Sequence, residues 1–344
     1  MNFSSDNSYG AWPEIVAAVG AAATGAVPSY GDDALTAKVR ARLAELFEHE
    51  LAVFPVISGT AANALALATL VPPHGAIFCH GESHIAVDEC GAPEFFTHGA
   101  KLVPLEGNDA KLVPDTLERA LAHFQKGFVH HVQPAALSLT QSTELGTVYQ
   151  AGELAALAAL ARAHGMKVHM DGARFANALA YLGCTPADAT WRAGVDAMSF
   201  GATKNGALGA EAVIFFDPAE ARDFEYRRKK AGHLLSKMRF VSAQLDAYLT
   251  GTRWLEHAAR ANKLARTLAA GLGGVRGAEL AHPVEANAVF AYLPDATVAR
   301  LRRQGAAFYD WLPSSGGRTL VRLVASFATP EEDVKRFLDV ANSE

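Results

Sequence analysis

Short apolar runs alternate along most of the chain with longer stretches in which apolar side chains recur every three or four positions. Short runs rich in Val, Ile, Met and Phe are typical of buried strands, whereas the longer periodic stretches are typical of helices. The strand-like runs are Val53–Ile57, Gly75–Cys79, Lys101–Pro104, Gly127–Gln133, Met166–Met170, Val195–Phe200 and Glu211–Phe216. Because strands alternate with helices, the pattern predicts an α/β fold with a predominantly parallel sheet and helices on both faces.

Helical spacing is clear in Ala34–Glu48, where four large apolar side chains lie four positions apart. Similar patterns predict helices over Pro13–Ala23, Pro114–His123, Gln150–His164 and Trp254–Leu272. Pro218–Leu249 is predicted to be one long helix that is rich in Arg and Lys. Its cations form either a solvated face or an edge that meets a phosphate or a neighbouring subunit.

The pattern changes near residue 275. Two strand-like runs, Ala288–Leu293 and Thr319–Val324, enclose a predicted helix over Ala296–Gln304. We therefore expect a large domain over residues 1–245 and a smaller α+β domain over residues 246–344. Residues 1–12 are polar and irregular, and we expect them to form an ordered arm of the large domain.

Composition narrows the classes of function. The chain has 344 residues and a net charge of −5, which argues against a nucleic-acid binder. Its three cysteines fit neither a disulfide framework nor a zinc site, which favours a reducing cytoplasm. The N-terminus lacks the basic region of a signal peptide, and the apolar stretch Ile15–Val27 is too short to span a bilayer. We expect a cytoplasmic protein without a nucleic-acid or membrane partner.

Two charged residues, Asp171 and Lys204, follow neighbouring strand-like runs. Ligands of open α/β sheets bind beyond the carboxyl ends of the strands, so both side chains are expected at one site. Pyridoxal phosphate (PLP) requires such a pair: an amine that forms an imine with its aldehyde, and an acid that keeps its ring nitrogen protonated. The simpler alternative is a surface salt bridge with a solvated lysine. The small residues around Lys204 provide no carboxylate partner, which favours the cofactor site.

A small-residue turn, Ser58-Gly59-Thr60, connects the first strand-like run to a helix. Its free backbone N–H groups and two hydroxyls form an anion site suited to a phosphate, although Ser and Thr are also common as ordinary helix caps. His84 follows the next strand-like run and is a candidate base, ring-stacking residue or metal ligand. The nearby His and acidic residues lack the spacing of a metal site, so no metal is expected.

Arg322 stands within an otherwise apolar strand-like run, Thr319–Val324. A charge in such a run is costly unless it is paired. Its partner is either a structural carboxylate or the carboxylate of a substrate, which a guanidinium binds through two parallel hydrogen bonds.

Together, several motifs resemble the low-specificity threonine aldolases, which are PLP enzymes of the aspartate-aminotransferase fold (PLP fold type I) related to the β-eliminating lyases. The motifs are Ser5-Asp6, Tyr30-Gly31-Asp32-Asp33, Ser58-Gly59-Thr60-Ala61-Ala62-Asn63, His84, Asp171-Gly172-Ala173-Arg174, Lys204 and Arg322. The resemblance covers nearly the whole chain, and the Asp-Gly-Ala-Arg segment followed by the lysine is its most specific part. It implies a large domain with a mostly parallel seven-stranded sheet flanked by helices and a smaller α+β C-terminal domain.

The resemblance also implies which residues bind the cofactor. Lys204 forms the imine with PLP, and Asp171 pairs with the pyridine nitrogen. His84 stacks on the ring and is a candidate for proton transfer. Ser58-Gly59-Thr60 holds the phosphate, and Arg174 lies at the same site. The expected catalytic residues are therefore Lys204, His84 and Asp171.

A second set of residues is implied for an amino-acid substrate. Ser5, Arg174 and Arg322 receive its carboxylate. Members of the family are typically homotetramers whose active sites are shared between subunits. Tyr30 is therefore expected to bind substrate at a neighbour's site, together with the basic segment Arg228–Lys237.

The implied activity is retro-aldol cleavage of L-threonine, L-allo-threonine and related β-hydroxy-α-amino acids to glycine and an aldehyde. Many members carry a Glu-Asn-Thr-His-Asn segment whose His approaches the substrate hydroxyl. The matching stretch here, Thr140–Glu144, lacks that His, so His84 is the expected base, directly or through water. Two alternatives stay open: a PLP-dependent β-eliminating lyase acting on another amino acid, and a non-catalytic binder of a small phosphorylated ligand.

Overall fold

A seven-stranded sheet forms the centre of the computed structural model, which describes residues 1–343. Its strands are β1 Ala52–Val56, β2 Gly75–His80, β3 Lys101–Leu105, β4 Gln133–Thr140, β5 Lys167–Gly172, β6 Ala197–Gly201 and β7 Glu211–Phe215. Their order across the sheet is β1-β7-β6-β5-β4-β2-β3. β7 runs antiparallel to both of its neighbours, and the other strands all run in one direction. The predicted, mostly parallel sheet is confirmed.

Helices connect most of these strands and continue to the C-terminus. They are α1 Pro13–Ala22, α2 Ala34–Leu46, α3 Gly59–Leu70, α4 His84–Val87, α5 Ala92–Phe96, α6 Pro114–Leu121, α7 Ala151–Ala163, α8 Phe175–Leu182, α9 Phe224–Lys230, α10 Arg239–Tyr248, α11 Arg253–Leu272, α12 Asp295–Arg303 and α13 Glu331–Asn342. Within residues 1–343, none of the helices has the length and apolar character that a membrane crossing requires.

Helix α3 is buried on all sides against the sheet. Residues 61–68 are all buried, and the helix contacts strands β4 to β7. Eight of its twelve residues are Ala or Leu, and a helix that is largely apolar on every face is stable only inside a protein. Because the helix is fixed in this way, its first turn has a defined position at the edge of the sheet.

A second sheet lies in the C-terminal part of the chain. It is antiparallel, with strands β8 Glu279–Leu280, β9 Ala288–Pro294, β10 Tyr309–Ser315 and β11 Arg318–Val324 in the order β10-β11-β9-β8. The predicted domain boundary at residues 245/246 falls inside α10, and α11 packs against both α8 and α13. The division into two domains stays a prediction.

The N-terminal residues form the expected ordered arm. Phe3 is buried in the apolar core beside the second sheet. Its backbone N–H donates to the carbonyl of Ala307 at 2.8 Å, and its carbonyl accepts from Val324 N at 2.8 Å. These bonds fix the arm, so residues a few positions later have defined places at the site described below.

One predicted strand, Gly127–Gln133, is wrong. Residues 127–131 form turns, Val129 is 90% exposed, and β4 begins only at Gln133. The buried part of β4 is Ala136–Leu139, whose apolar side chains and one serine fill both faces of the sheet. The two histidines of the predicted strand would have been buried there without partners, which is costly.

The predicted helix over Pro218–Leu249 is also wrong in extent. It is divided into a short 3₁₀ turn, α9 and α10, and the backbone at Gly232 has a φ of +78°, which ends α9. Arg228 in α9 is buried, donates to the carbonyl of Pro55 at 3.2 Å and pairs with Glu225 at 2.8 Å. Arg228 is thus neither a solvated cation nor part of an exposed cationic edge.

Candidate active site

Lys204 lies on the tight turn that connects β6 to β7. The turn is closed by Thr203, whose hydroxyl oxygen accepts from Ala210 N at 3.1 Å. Gly206 has a φ of +114°, and any side chain there would overlap the indole of Trp12. The turn therefore packs directly against Trp12, the residue before α1.

The amine of Lys204 has no hydrogen-bond partner within the described residues, as the lack of a nearby carboxylate in its loop had indicated. Burial, and then the charge of Arg174, lowers the pKa of Lys204. A lowered pKa increases the neutral, nucleophilic fraction of an amine, which is what reaction with an aldehyde requires.

Asp171 stands at the end of β5, beside β6, and is 3% exposed. Its carboxylate accepts from Asn63 Nδ2 at 2.7 Å and from the backbone N–H of Ala173 at 2.9 Å. Burial alone would raise the pKa of Asp171, but the charges of Lys204 and His84 outweigh it and hold that pKa below its usual value. The carboxylate is ionised, as a partner for a protonated ring nitrogen must be.

His84 is the first residue of α4. Its Nδ1 donates a hydrogen bond to Oε1 of Glu89 at 2.8 Å. The same Glu89 oxygen also accepts a hydrogen bond from Asn63 Nδ2 at 2.8 Å. The hydrogen bond to Glu89 raises the pKa of His84. The potential ligand atoms of His84, Glu89 and Asp171 lie within 4.8 Å of one another, but the Asn63 amide already bridges the two carboxylates. We therefore assign the cluster no metal.

The first turn of α3 leaves room for a bound group. Ser58 caps the helix by accepting from Ala61 N at 3.3 Å. Apart from its chain neighbours and the backbone of its own helix, no atom lies within 4 Å of the position that a Cβ of Gly59 would occupy. The first turn of this buried helix, which includes Thr60, presents free backbone N–H groups at the positive end of the helix dipole. Such a helix end suits a phosphate.

The two arginines that were predicted to bind a carboxylate differ in their partners. Arg174 donates from Nε and Nη2 to the carboxylate of Asp6 at 2.7 and 2.9 Å. Burial opposes the ionisation of Asp6, but Arg174 lowers the pKa of its carboxyl to about 2. Asn287 also donates to this carboxylate, at 3.1 Å. The positive charge of Arg174 is therefore already balanced by a carboxylate of the chain.

Arg322 has no hydrogen-bonded carboxylate among the described residues to balance its charge. Its guanidinium lies over the ring of Trp311 at 5.6 Å, and its Nε is buried without a hydrogen-bond partner in the described part of the chain. Burial, and then the charge of Arg174, lowers the pKa of Arg322 to about 10. A partly buried cation without a carboxylate partner is costly, so a ligand carboxylate at this position would be bound favourably.

Five of the ten predicted site residues meet at one pocket. Gly59, His84, Asp171, Arg174 and Lys204 all line it. Ser58 and Thr60 flank Gly59 in the same turn. The roles of these residues stay predictions.

Two predicted substrate residues lie elsewhere in the protomer. Ser5 accepts from Asn7 N at 3.1 Å and begins the 3₁₀ turn that carries Asp6. Tyr30 is exposed at the surface, with the amine of Lys229 4.6 Å from the centre of its ring. Neither of these residues lines the pocket, and Arg322 is not among its lining residues either.

Several residues of the site were missed from the sequence. Asn63, Thr140, Ser142 and Glu144 also line the pocket. Asn63 lies four positions after Gly59 on α3, and this helical spacing could have indicated it. The other three residues lie at or just beyond the end of β4, in the stretch Thr140–Glu144, which was noted in the sequence only for its missing His. Their position at a strand end is the signal that a correct strand would have given.

The donor set of the pocket fits PLP. An ionised carboxylate, an amine without a partner, an imidazole and an open helix N-terminus all line one cavity. These are the groups that the ring nitrogen, aldehyde, ring face and phosphate of PLP require.

Comparisons with known proteins identify the family of the chain. A family model described as Beta-eliminating lyase matches residues 2–296. A low specificity L-threonine aldolase of Pseudomonas sp. (strain NCIMB 10558) is 43% identical over 335 residues, which cover 97% of this chain and 95% of that protein. The structure of Leishmania major threonine aldolase is 30% identical and has a TM-score of 0.93, covering 99% of this chain and 98% of that chain.

The fold is shared more widely. An aspartate aminotransferase from Rhodobacter sphaeroides 2.4.1 has a TM-score of 0.74 at 21% identity, covering 99% of this chain and 92% of that chain. The expected aspartate-aminotransferase fold and the expected family are confirmed. The chain belongs to the beta-eliminating lyase family, among the low-specificity L-threonine aldolases.

Proposed function

We propose that the protein uses PLP to cleave L-threonine, L-allo-threonine and related β-hydroxy-α-amino acids to glycine and an aldehyde. The observation that carries this proposal is the meeting of Asp171 and Lys204, from the ends of two adjacent strands, in one pocket with His84 and Arg174. The names of the relatives, which are threonine aldolases, support the choice of substrate.

Four groups of the chain would hold the cofactor. Asp171 would bind the pyridine nitrogen, Lys204 the aldehyde carbon, His84 the ring, and the Ser58-Gly59-Thr60 turn the phosphate. When bound, PLP supplies an electron-accepting ring that stabilises negative charge at the substrate Cα. The lowered pKa of Asp171 supports this, because a negative charge at this position would keep the ring nitrogen protonated.

The substrate carboxylate is proposed to bind at Arg322, with Arg174 beside it and Ser5 on the nearby arm. Arg322 brings a positive charge that no carboxylate of the described chain satisfies by a hydrogen bond. Fixing the carboxylate limits rotation about the bond between Cα and the nitrogen, so the Cα–Cβ bond is held in the orientation in which it breaks. Binding energy at Arg322 thus contributes to both affinity and orientation.

We expect Arg322→Gln to raise KM for L-threonine by about 10- to 100-fold, because a charge-assisted hydrogen bond contributes about 1.5–3 kcal/mol. Steady-state kinetics measures this change, and kcat should change less. The matched control is Arg318→Gln on the same strand, where the exposed side chain pairs with Glu279 at 2.8 Å. An unchanged KM in the Arg322 variant would assign this residue a structural role.

Product analysis tests the activity itself. Purified protein with PLP should release glycine and acetaldehyde from L-threonine and from L-allo-threonine. Pyruvate from serine or cysteine, without acetaldehyde from threonine, would favour the β-eliminating alternative. A colourless protein that forms neither product would favour the binder of a phosphorylated ligand.

We also propose a cytoplasmic homotetramer with active sites shared between subunits. A groove with an apolar lining of Leu65, Ala68, Phe95 and Phe96 supports subunit contact, since Phe95 is 75% exposed. Tyr30 would then bind substrate at a neighbour's site. The three free cysteines are compatible with a reducing compartment. The mass of the purified protein by light scattering tests the assembly, and a monomeric mass contradicts it.

A further inference from the structure

Glu144 holds an unusual position in the pocket. One carboxylate oxygen, Oε1, accepts from the backbone N–H of His84 at 2.8 Å and from the hydroxyl of Thr140 at 2.9 Å. The other oxygen, Oε2, is buried and has no partner among residues 1–343. A buried carboxylate oxygen without a donor is costly, unless a ligand supplies the donor. Because Glu144 lines the same pocket as Lys204, a substrate hydroxyl is such a donor.

The electrostatics of Glu144 suit a base that works near neutral pH. Burial, and then the charge of Asp171, raises the pKa of Glu144 to about 7. The titratable groups that face it are Cys79, His84, Tyr149, Asp171 and Arg174. A general base is most effective when its pKa lies near the working pH, because it is then both deprotonated and basic.

His84, the base expected from the sequence, is less suited to this task. Its Nδ1 is bound to Glu89, and this hydrogen bond raises the pKa of the imidazole. A histidine with a raised pKa carries its proton through more of the neutral range, so it accepts a further proton less readily. Glu144 is held beside it by the backbone of His84 itself.

We propose that Glu144 accepts the proton of the substrate β-hydroxyl during cleavage, an inference that rests on the proposed function. As the proton moves to Oε2, the O–H electron pair becomes the second C–O bond of the aldehyde. The Cα–Cβ bond breaks, and its electron pair stays with the glycine fragment. One proton added at Cα completes glycine, so the overall reaction neither takes up nor releases protons.

The variant Glu144→Gln tests this assignment. Its side-chain oxygen can still accept from His84 N–H and from Thr140, but the amide cannot take a proton. We expect kcat for L-threonine cleavage to fall by about 10²- to 10⁴-fold, the usual contribution of a general base, with little change in KM. The enzyme should also exchange a Cα hydrogen of glycine for deuterium in D₂O, and NMR measures the rate of this exchange. Because glycine has no hydroxyl, Glu144→Gln should carry out the exchange at the wild-type rate.

Controls separate this inference from the proposed function. Glu82→Gln, an exposed carboxylate just before α4, should keep both rates. Glu144→Asp keeps a carboxylate and should recover part of the cleavage. If Glu144→Gln cleaves threonine at the wild-type rate, or loses glycine exchange to the same extent, the assignment of the base is overturned. Failure of the wild-type protein to cleave threonine would instead contradict the proposed function.

A pH profile and a direct titration provide further readouts. A base acts only when it is deprotonated, so wild-type kcat should rise with pH through about 7 and then level off. Glu144→Gln should lack this rise. In ¹³C-labelled protein without PLP, the side-chain carboxyl resonance of Glu144 is identified as the one that is missing in Glu144→Gln. This resonance should titrate near pH 7. A resonance that titrates in the ordinary range of a surface glutamate would overturn the inference.

Discussion

The Lys204→Ala protein should lose its visible absorbance and its threonine cleavage together. Lys204 is the amine proposed to bind the cofactor aldehyde, and it has no other partner in the pocket of the described structure. Removing a group that acts covalently lowers turnover by at least about 10³-fold. Absorption spectra and acetaldehyde release, measured on the same preparation with added PLP, check this result.

The matched control for this variant is Lys167→Ala. Lys167 lies at the opposite end of β5 from Asp171 and pairs with Glu220 at 3.0 Å on the surface. Its replacement should leave both the spectrum and the turnover unchanged. A Lys204→Ala protein that kept both properties would exclude Lys204 as the cofactor lysine.

The Asp171→Asn protein should bind PLP but cleave threonine far more slowly. Asparagine can accept from Ala173 N as Asp171 does, but it has no negative charge to keep the ring nitrogen protonated. Loss of one preorganised electrostatic contact typically lowers kcat by about 10²- to 10³-fold. The negative charge of Asp171 also raises the pKa of both Lys204 and His84. Both pKa values should therefore fall in the variant.

Two measurements check this second result. Steady-state kinetics gives kcat and KM, and proton NMR of the imidazole gives the pKa of His84. Asp188→Asn, which removes an exposed carboxylate paired with Arg192, is the control and should change neither quantity. A wild-type kcat in Asp171→Asn would show that the carboxylate does not act on the ring nitrogen.

The large sheet was predictable because its strands are buried. A strand covered on both faces is a continuous apolar run, and β2, β5 and β6 stand out in the sequence for this reason. The reversed direction of β7 was not recognised. The connection from β6 to β7 covers only residues 202–210, which is shorter than a parallel crossover needs.

The site was predictable where it depends on strand ends and helix starts. Asp171, Lys204 and Gly59 were found in this way, and the structure places them in one pocket. Contacts between distant segments could not be found. The pair of Asp6 with Arg174 joins residues 168 positions apart, and its formation depends on the folding of the N-terminal arm. No local pattern in the sequence records such a contact.

The antiparallel pairing of β6 with β7 also bears on the order in which the molecule assembles. Gly201 pairs with Glu211 across a short turn, whereas β1 must reach the same strand from more than a hundred residues away. The entropy lost on closing a loop increases with its length, so the nearby pairing is less costly. This hairpin can therefore form before β1 joins the sheet. The strands on both sides of the turn that carries the amine can pair early, whereas the packing of this turn on Trp12 has to wait for contacts between distant segments.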